Sequence, residues 1–169
     1  MKPDLFTTAK GITNATVPMG AVFVRDGIYE AFMSAAPENA IEFFHGYTYS
    51  GHPLACAAGI ATLDVYRSDD LFARAAELAP YFESALHSLG DANNVIDARN
   101  LGMMGAIELE SIPGNPTFRA MDAFQKAFDA GLLIRTTGDT IALSPPLIIE
   151  KKQVDFIADT VRAVLKTVH

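Results

Sequence analysis

The strongest constraint on the fold of this chain is a change in the spacing of its apolar residues. Within Asp69–Leu89, apolar side chains recur at steps of three and four, which places them on one face of an α-helix: Leu71, Ala75, Leu78, Phe82, Leu86 and Leu89. From Val95 onward, short apolar runs typical of β-strands alternate with helical patterns. A helical stretch followed by such a mixture predicts an α/β to α+β fold.

Two features interrupt this pattern. Pro80 lies within the helical stretch, and we expect the helix to kink or split there because proline lacks a backbone N–H and clashes with the preceding turn. The segment Gly90–Asn94 is rich in turn-forming residues and follows the last apolar position of the helix. It is the best candidate for a hinge or a domain boundary.

The other elements follow from short apolar runs and turn residues. In the first part of the chain we predict a buried strand at Ala21–Val24, a helix at Asp26–Met33 and a helix at Pro53–Arg67. Later in the chain, the predicted strands are Val95–Ala98, Met104–Leu109, Leu132–Arg135 and Thr140–Leu143, and the predicted helices are Thr117–Ala130 and Glu150–Val168. Gly131 lies where a helix C-cap is expected.

Composition excludes several classes of protein. The chain has 169 residues, 13 Lys and Arg against 20 Asp and Glu, a net charge of −7, and 50% hydrophobic residues. The apolar content excludes disorder, the single cysteine, Cys56, excludes a disulfide scaffold, and the negative charge disfavours nucleic-acid binding. No apolar run reaches the ~20 residues of a membrane span, and no signal peptide is visible. We therefore expect a soluble, cytoplasmic protein, and the length alone suggests one domain.

Lys10 is the first candidate for chemistry. It follows a short β-like run, precedes a glycine and has no charged residue nearer in sequence than Asp4. An amine among apolar and hydroxyl neighbours is destabilised in its charged form, and the neutral amine is a nucleophile suited to Schiff-base chemistry with a carbonyl. The alternative is an ordinary surface charge, the usual role of a lysine.

The second candidate is the segment His45–Pro53, in which hydroxyls and glycines precede a predicted helix. Side-chain donors, free backbone N–H groups and the positive end of the helix dipole suit a phosphate or carboxylate. The alternative is an ordinary capped turn. The helix itself contains small residues that permit close packing of a neighbour, and Cys56 among them is interpreted as a small packing residue.

Arg135 is the third candidate, because it ends an apolar strand. A guanidinium at the edge of a sheet can bind a carboxylate through two parallel hydrogen bonds. The alternative is a salt bridge to Asp139 or to another acid.

The histidines do not form a metal motif. No cysteine or carboxylate lies between His45 and His52, and we therefore expect no metal site. The segment Gly102–Gly105 has too few glycines for a dinucleotide-binding loop.

The order of these segments resembles that of the class III aminotransferases. Residues 3–22, with Ala9-Lys10-Gly11, are similar to the lysine segment of that family. Residues 47–53, followed by an alanine-rich helix, resemble its next motif, and residues 131–147, with Arg135 and a Ser-Pro-Pro run, resemble its last. Within the family the likeness is strongest to the ω-amino acid:pyruvate aminotransferases of the β-alanine type.

The resemblance implies a fold type I transferase that depends on pyridoxal 5'-phosphate. Lys10 would hold the cofactor and then act as the general acid and base of the proton shift. Thr48, with the backbone at Tyr47, would bind the cofactor phosphate of a partner subunit, which implies a homodimer with a shared site. Arg135 would bind the carboxylate of pyruvate or an amino acid, and the reaction would move an amino group from an ω-amino acid or amine such as β-alanine to pyruvate.

The resemblance also implies a chain shorter than the whole enzyme. Residues 1–92 are expected to be the C-terminal part of the large cofactor domain with its linking helices, and residues 93–169 the small C-terminal α+β domain. The family's upstream phosphate loop, its ring-stacking aromatic and its aspartate for the pyridine nitrogen have no counterpart, and Asp4 is not that aspartate. Met1 is interpreted as an internal start, a cloning choice or the start of a truncated gene.

Two other functions stay open at this point. The chain could belong to a different class III enzyme, such as an aminomutase or a decarboxylating transaminase. It could also be a catalytically inactive fragment that acts only as a folded, dimerising module. Neither alternative involves nucleic acid or a membrane.

Overall fold

The chain forms two compact units, residues 1–69 and 70–169. The computed structural model describes residues 2–39, 43 and 45–168. No helix within those residues is long and apolar enough to cross a bilayer.

The first unit contains a β-hairpin and two helices. Strands β1 (Leu5–Ala9) and β2 (Gly20–Val24) pair antiparallel, and they are followed by α1 (Asp26–Ala35) and α2 (Pro53–Ser68). Pro53 occupies the first turn of α2, where its missing N–H removes no helical hydrogen bond. The predicted strand and both predicted helices of this unit are confirmed to within two residues.

The hairpin differs from the prediction in its burial. The strand predicted at Ala21–Val24 exists, but it is not buried, because among the described residues neither face of the two-stranded sheet is covered. Five large apolar side chains of the hairpin are between 45% and 62% exposed: Leu5, Phe6, Val22, Phe23 and Val24. Phe6 and Phe23 pack against each other across the strands, with ring centroids 6.0 Å apart. An apolar run therefore predicted the strand correctly, but the residues that the structure describes do not cover it.

The second unit is a four-stranded antiparallel sheet packed against helices. It consists of α3 (Leu71–His87), β3 (Val95–Leu101), β4 (Met104–Leu109), α4 (Phe118–Asp129), β5 (Arg135–Thr137), β6 (Thr140–Leu143) and α5 (Lys151–Leu165), with the strand order β3-β4-β6-β5. Its core is continuous and includes the fully buried Phe82, Ile107, Ile141 and Leu165. The predicted mixture of helices and strands is confirmed, and the strands pair antiparallel.

Helix α3 runs through Pro80 without a break, so the expected split does not occur. A proline inside a helix costs about 3 kcal/mol. Leu78, Phe82 and Leu86 lie on both sides of it and are buried in the core, so that burial of the apolar face offsets this cost.

Strand boundaries show where local capping overrides an apolar run. The strands Met104–Leu109 and Thr140–Leu143 are confirmed at both ends. The strand predicted at Leu132–Arg135 is wrong, because β5 begins at Arg135. The Leu132 N–H donates to the Ala127 carbonyl at 2.8 Å, and Gly131 has a φ of +85°. These residues form the C-terminal cap of α4, with Gly131 where it was expected, and are unavailable to the sheet.

The boundary between the two compact units lies after Asp69, because α3 packs on β3 and α5 of the second unit. The division at residues 92 and 93, between a cofactor domain and a small domain, is a functional assignment and stays a prediction.

Gly105 is expected to be essential for the packing of α3 on the sheet. A Cβ at this position would lie 2.9 Å from Leu86 Cδ2 and 3.1 Å from Phe82 Cζ. Gly105→Ala should therefore lower the free energy of unfolding of the second unit by about 1–3 kcal/mol, measured by chemical denaturation. Gly90→Ala is the control, because a Cβ there meets nothing within 4 Å. Equal stability of the two variants would contradict this packing.

The exposed hairpin is expected to promote self-association of the isolated chain. Replacing Val22 and Phe23 with threonine should raise the soluble fraction and reduce light scattering, because it removes apolar surface from an edge strand of the two-stranded sheet. Ile96→Thr is the control, since Ile96 is also 61% exposed on a strand but lies in the second unit. The interpretation fails if Ile96→Thr has the larger effect.

Candidate functional site

Lys10 lies at the end of β1 and begins a 3₁₀ turn, Lys10–Ile12. Its φ is +56°, and Asn14 and Ala15 in the same loop have φ values of +49° and +59°. These are left-handed conformations in residues other than glycine, each of which costs about 1–3 kcal/mol and persists only where the surroundings enforce it. Such strain is typical of functional loops.

Hydrogen bonds within the loop hold this conformation. The Lys10 carbonyl accepts from the backbone N–H groups of Thr13 and Ala15, at 3.3 and 3.4 Å. Thr13 is only 1% exposed, and its hydroxyl donates to the Val17 carbonyl at 2.7 Å. Thr16 donates from its hydroxyl to the Thr13 carbonyl at 2.6 Å. A threonine buried in this way fixes the loop from within.

Helix α2 holds the loop from outside. The Tyr66 hydroxyl donates to the Gly11 carbonyl at 2.7 Å. A Cβ on Gly59 would lie 3.6 Å from the Ile12 carbonyl oxygen and 3.5 Å from Met19 Sδ. The small residues of α2 thus allow close packing of a neighbour, as predicted, and the neighbour is the loop that contains Lys10.

The Lys10 residue itself is exposed. The expectation that apolar neighbours would remove water from its amine is wrong for the described residues. The hairpin on which Lys10 lies is uncovered, so the part of the chain that the structure describes leaves the amine exposed to water. What the chain supplies is the backbone geometry.

A cavity of about 570 Å³ lies beside the N-terminus of α2. It is lined by residues 17–20, residues 47–52, Ala55 and Cys56, and it therefore includes the predicted phosphate-binding residues Tyr47 and Thr48 but not Lys10. Both predicted residues are exposed, and His52, the N-cap of α2, makes no side-chain hydrogen bond to the first turn. Hydroxyls and a helix N-terminus at one cavity are chemically suited to an anion.

An aromatic row leads to this cavity and was not predicted. The ring centroids of Phe32 and Phe43 are 5.1 Å apart, those of Phe43 and His45 are 5.7 Å apart, and those of His45 and Tyr47 are 4.6 Å apart. The row connects α1 to the segment that contains Tyr47. Its signal in the sequence is the aromatic residue at every second position from Phe43 to Tyr49.

Arg135 is the first residue of β5, which is an edge strand, and it is exposed. It lines a cavity of about 750 Å³ in the second unit, together with apolar residues that include Leu132, Leu143 and Pro146. The edge position was predicted, whereas the place of Arg135 at the start of the strand was not.

The alternative of a salt bridge between Arg135 and Asp139 is wrong. The Asp139 carboxylate accepts instead from the backbone N–H of Thr117, the N-cap of α4, at 2.7 Å. Among the residues that the structure describes, no carboxylate oxygen lies within 4.0 Å of Arg135. The guanidinium is therefore available to an external carboxylate.

The sequence comparison assigns the family. The profile described as "Aminotransferase class-III" matches residues 1–165. The chain belongs to the class III aminotransferases. It is 61% identical over 163 residues to an ω-aminotransferase of Caulobacter vibrioides, which covers 96% of this chain and 37% of that protein. It is 48% identical over 160 residues to a β-alanine–pyruvate aminotransferase of Pseudomonas aeruginosa, covering 94% of this chain and 36% of that protein.

Solved structures of the family agree with the fold. An amine transaminase from an uncultivated Pseudomonas species, solved in its PLP-bound form, matches 99% of this chain with a TM-score of 0.86 and 32% identity. The match covers 39% of that chain. The expected transaminase fold is thus confirmed, and this chain spans little more than a third of the length of the relatives that it matches.

Proposed function

We propose that this chain is part of a pyridoxal 5'-phosphate-dependent transaminase that moves an amino group from an ω-amino acid or amine, such as β-alanine, to pyruvate. The observation that carries the proposal is the similarity across nearly the whole chain to an ω-aminotransferase and to a β-alanine–pyruvate aminotransferase. The positions of Lys10, Tyr47, Thr48 and Arg135 support it.

The residues present fit part of the cofactor. A primary amine suits its aldehyde, and the hydroxyls and free donors at the cavity beside α2 suit its phosphate. When bound, the cofactor supplies the electron sink for amino transfer. A carboxylate for the ring nitrogen is expected from the part of the relatives' length that this chain does not match.

Lys10 would hold the cofactor through its amine and then move the proton of the amino-transfer step. Its left-handed backbone at the end of β1 is held by hydrogen bonds and differs from that of an ordinary surface lysine. Because the amine is exposed in this chain, removal of water from it would depend on the cover that the hairpin lacks.

Tyr47 and Thr48 would bind the cofactor phosphate of a partner subunit, through a backbone N–H and a hydroxyl. Both residues are exposed, which leaves them accessible to a second subunit. The homodimer with a shared site is part of this proposal, and residues 1–92 and 93–169 would belong to its cofactor domain and its small domain. The cytoplasmic location is likewise proposed from the sequence.

Arg135 would bind the carboxylate of pyruvate or of an amino acid donor. Its guanidinium is exposed, lies at an apolar cavity and pairs with no carboxylate among the described residues. An apolar cavity with one cation at its edge suits a small molecule that has one carboxylate and little other charge.

A second candidate function is a folded, dimerising module without catalytic activity. The exposed hairpin and the exposure of Lys10 favour it, because both show surfaces that this chain does not complete. Under this candidate, Lys10 would have no greater reactivity than another exposed lysine.

Lys10→Ala separates the two candidates. The purified chain is mixed with pyridoxal phosphate, its visible absorbance is recorded, and the adduct is reduced with borohydride and located by peptide mapping. We expect the yellow absorbance and the mapped adduct to be lost in Lys10→Ala and retained in the control Lys2→Ala, since Lys2 is also an exposed lysine of the first unit. No selective adduct at Lys10 in the wild-type chain would favour the inactive module.

Arg135→Ala tests the carboxylate site in an active enzyme that contains this chain. We expect kcat/KM for pyruvate to fall by about 10- to 100-fold, as for loss of a hydrogen-bonded charge pair of 1.5–3 kcal/mol, with simple amine donors affected much less. Arg135→Lys is the matched control, because it retains the charge without the planar fork. Equal losses for pyruvate and for a simple amine would contradict the assignment.

A further inference from the structure

Tyr66 contacts the backbone directly beside the proposed catalytic lysine. It lies in the C-terminal half of α2, and its hydroxyl donates to the carbonyl oxygen of Gly11 at 2.7 Å. A Cβ on Gly11 would lie 3.3 Å from the same hydroxyl, so the approach is close. The peptide group between Gly11 and Ile12 is thereby tied to a helix far away in sequence.

The strain of the loop explains why such a contact is needed. Lys10, Asn14 and Ala15 are all left-handed, although none is glycine. Released from its surroundings, the loop would relax toward right-handed or extended backbone, because residues other than glycine disfavour the left-handed conformation. Relaxation at Lys10 would redirect its side chain.

The bonds within the loop do not reach the rest of the fold. Thr13 and Thr16 bond to carbonyls of the loop itself, and the backbone bonds to the Lys10 carbonyl are long, at 3.3 and 3.4 Å. The Tyr66 hydrogen bond joins the loop to α2 at the residue next to Lys10. Gly59, earlier on the same helix, adds van der Waals contact with Ile12 and Met19.

We propose that Tyr66 is a positioning residue, which fixes the Gly11 carbonyl and thereby holds Lys10 in its left-handed conformation, so that the amine is directed toward its carbonyl partner. The inference rests on the proposed function of Lys10. In this proposal Tyr66 acts on Lys10 through the backbone of the loop.

The test compares Tyr66→Phe with the wild-type chain and with Tyr29→Phe, a control tyrosine that is 55% exposed on α1 of the same unit. The first measurement is amide hydrogen exchange at Thr13 and Ala15, whose N–H groups bond to the Lys10 carbonyl. Loss of one hydrogen bond of ~1 kcal/mol should accelerate these amides about fivefold in Tyr66→Phe and leave them unchanged in Tyr29→Phe.

The second measurement is the rate at which pyridoxal phosphate and borohydride label Lys10, divided by the rate at Lys2. We expect this ratio to fall several-fold in Tyr66→Phe. A merely structural role for Tyr66 would accelerate exchange across the whole first unit, including the Arg25 N–H that bonds to the Asp4 carbonyl, rather than in the loop alone.

The outcomes separate this inference from the function on which it rests. Unchanged exchange at Thr13 and Ala15, or acceleration that is uniform over the unit, would overturn positioning by Tyr66. Selective acceleration with a reduced labelling ratio would support it. A wild-type chain in which Lys10 is labelled no faster than Lys2 would overturn the role of Lys10 itself, and the exchange data would still decide whether Tyr66 holds the loop.

Discussion

The packing of α2 against the loop that contains Lys10 is the interaction on which the proposed chemistry depends. The loop is strained at Lys10, and its conformation requires support from outside as well as from the buried Thr13. The support comes from one face of α2, where Gly59 permits close approach and Tyr66 supplies a hydrogen bond. The glycine at position 59 of this helix is therefore explained by what it packs against.

The two units differ in how much of their structure this chain completes. The second unit has a continuous apolar core, in which Phe82 and Leu86 of α3 pack against Gly105 of β4. The first unit has few buried residues, and its hairpin exposes apolar side chains of both strands. The chain spans little more than a third of the length of the relatives that it matches.

Much of the second unit could be predicted from the sequence. The spacing of apolar residues predicted α3 and α5, and the strands β4 and β6 were predicted at both ends. The errors arose where another interaction competes with the pattern of apolar residues. The helix cap at Gly131 makes β5 begin later than predicted, and burial of the apolar face keeps α3 continuous across Pro80. Neither the cap nor the effect of burial can be recognised from the spacing of apolar residues alone.

The residues of the candidate site were proposed from the sequence, whereas their geometry was not. The order of three motifs identified the family and singled out Lys10, Thr48 and Arg135. The left-handed backbone could not be predicted, because Lys and Ala ordinarily avoid it and the tertiary contacts that enforce it lie far away in sequence. The aromatic row could have been found from its alternating positions.

The most direct test of this account is the backbone conformation of the lysine loop in solution. NMR coupling constants and cross-correlated relaxation report φ at Lys10, Asn14 and Ala15 in the purified chain. The account predicts positive φ at all three residues, near the values of +56°, +49° and +59°. Negative φ at Lys10, or averaging over both regions, would contradict the claim that α2 holds this lysine in a strained, directed conformation.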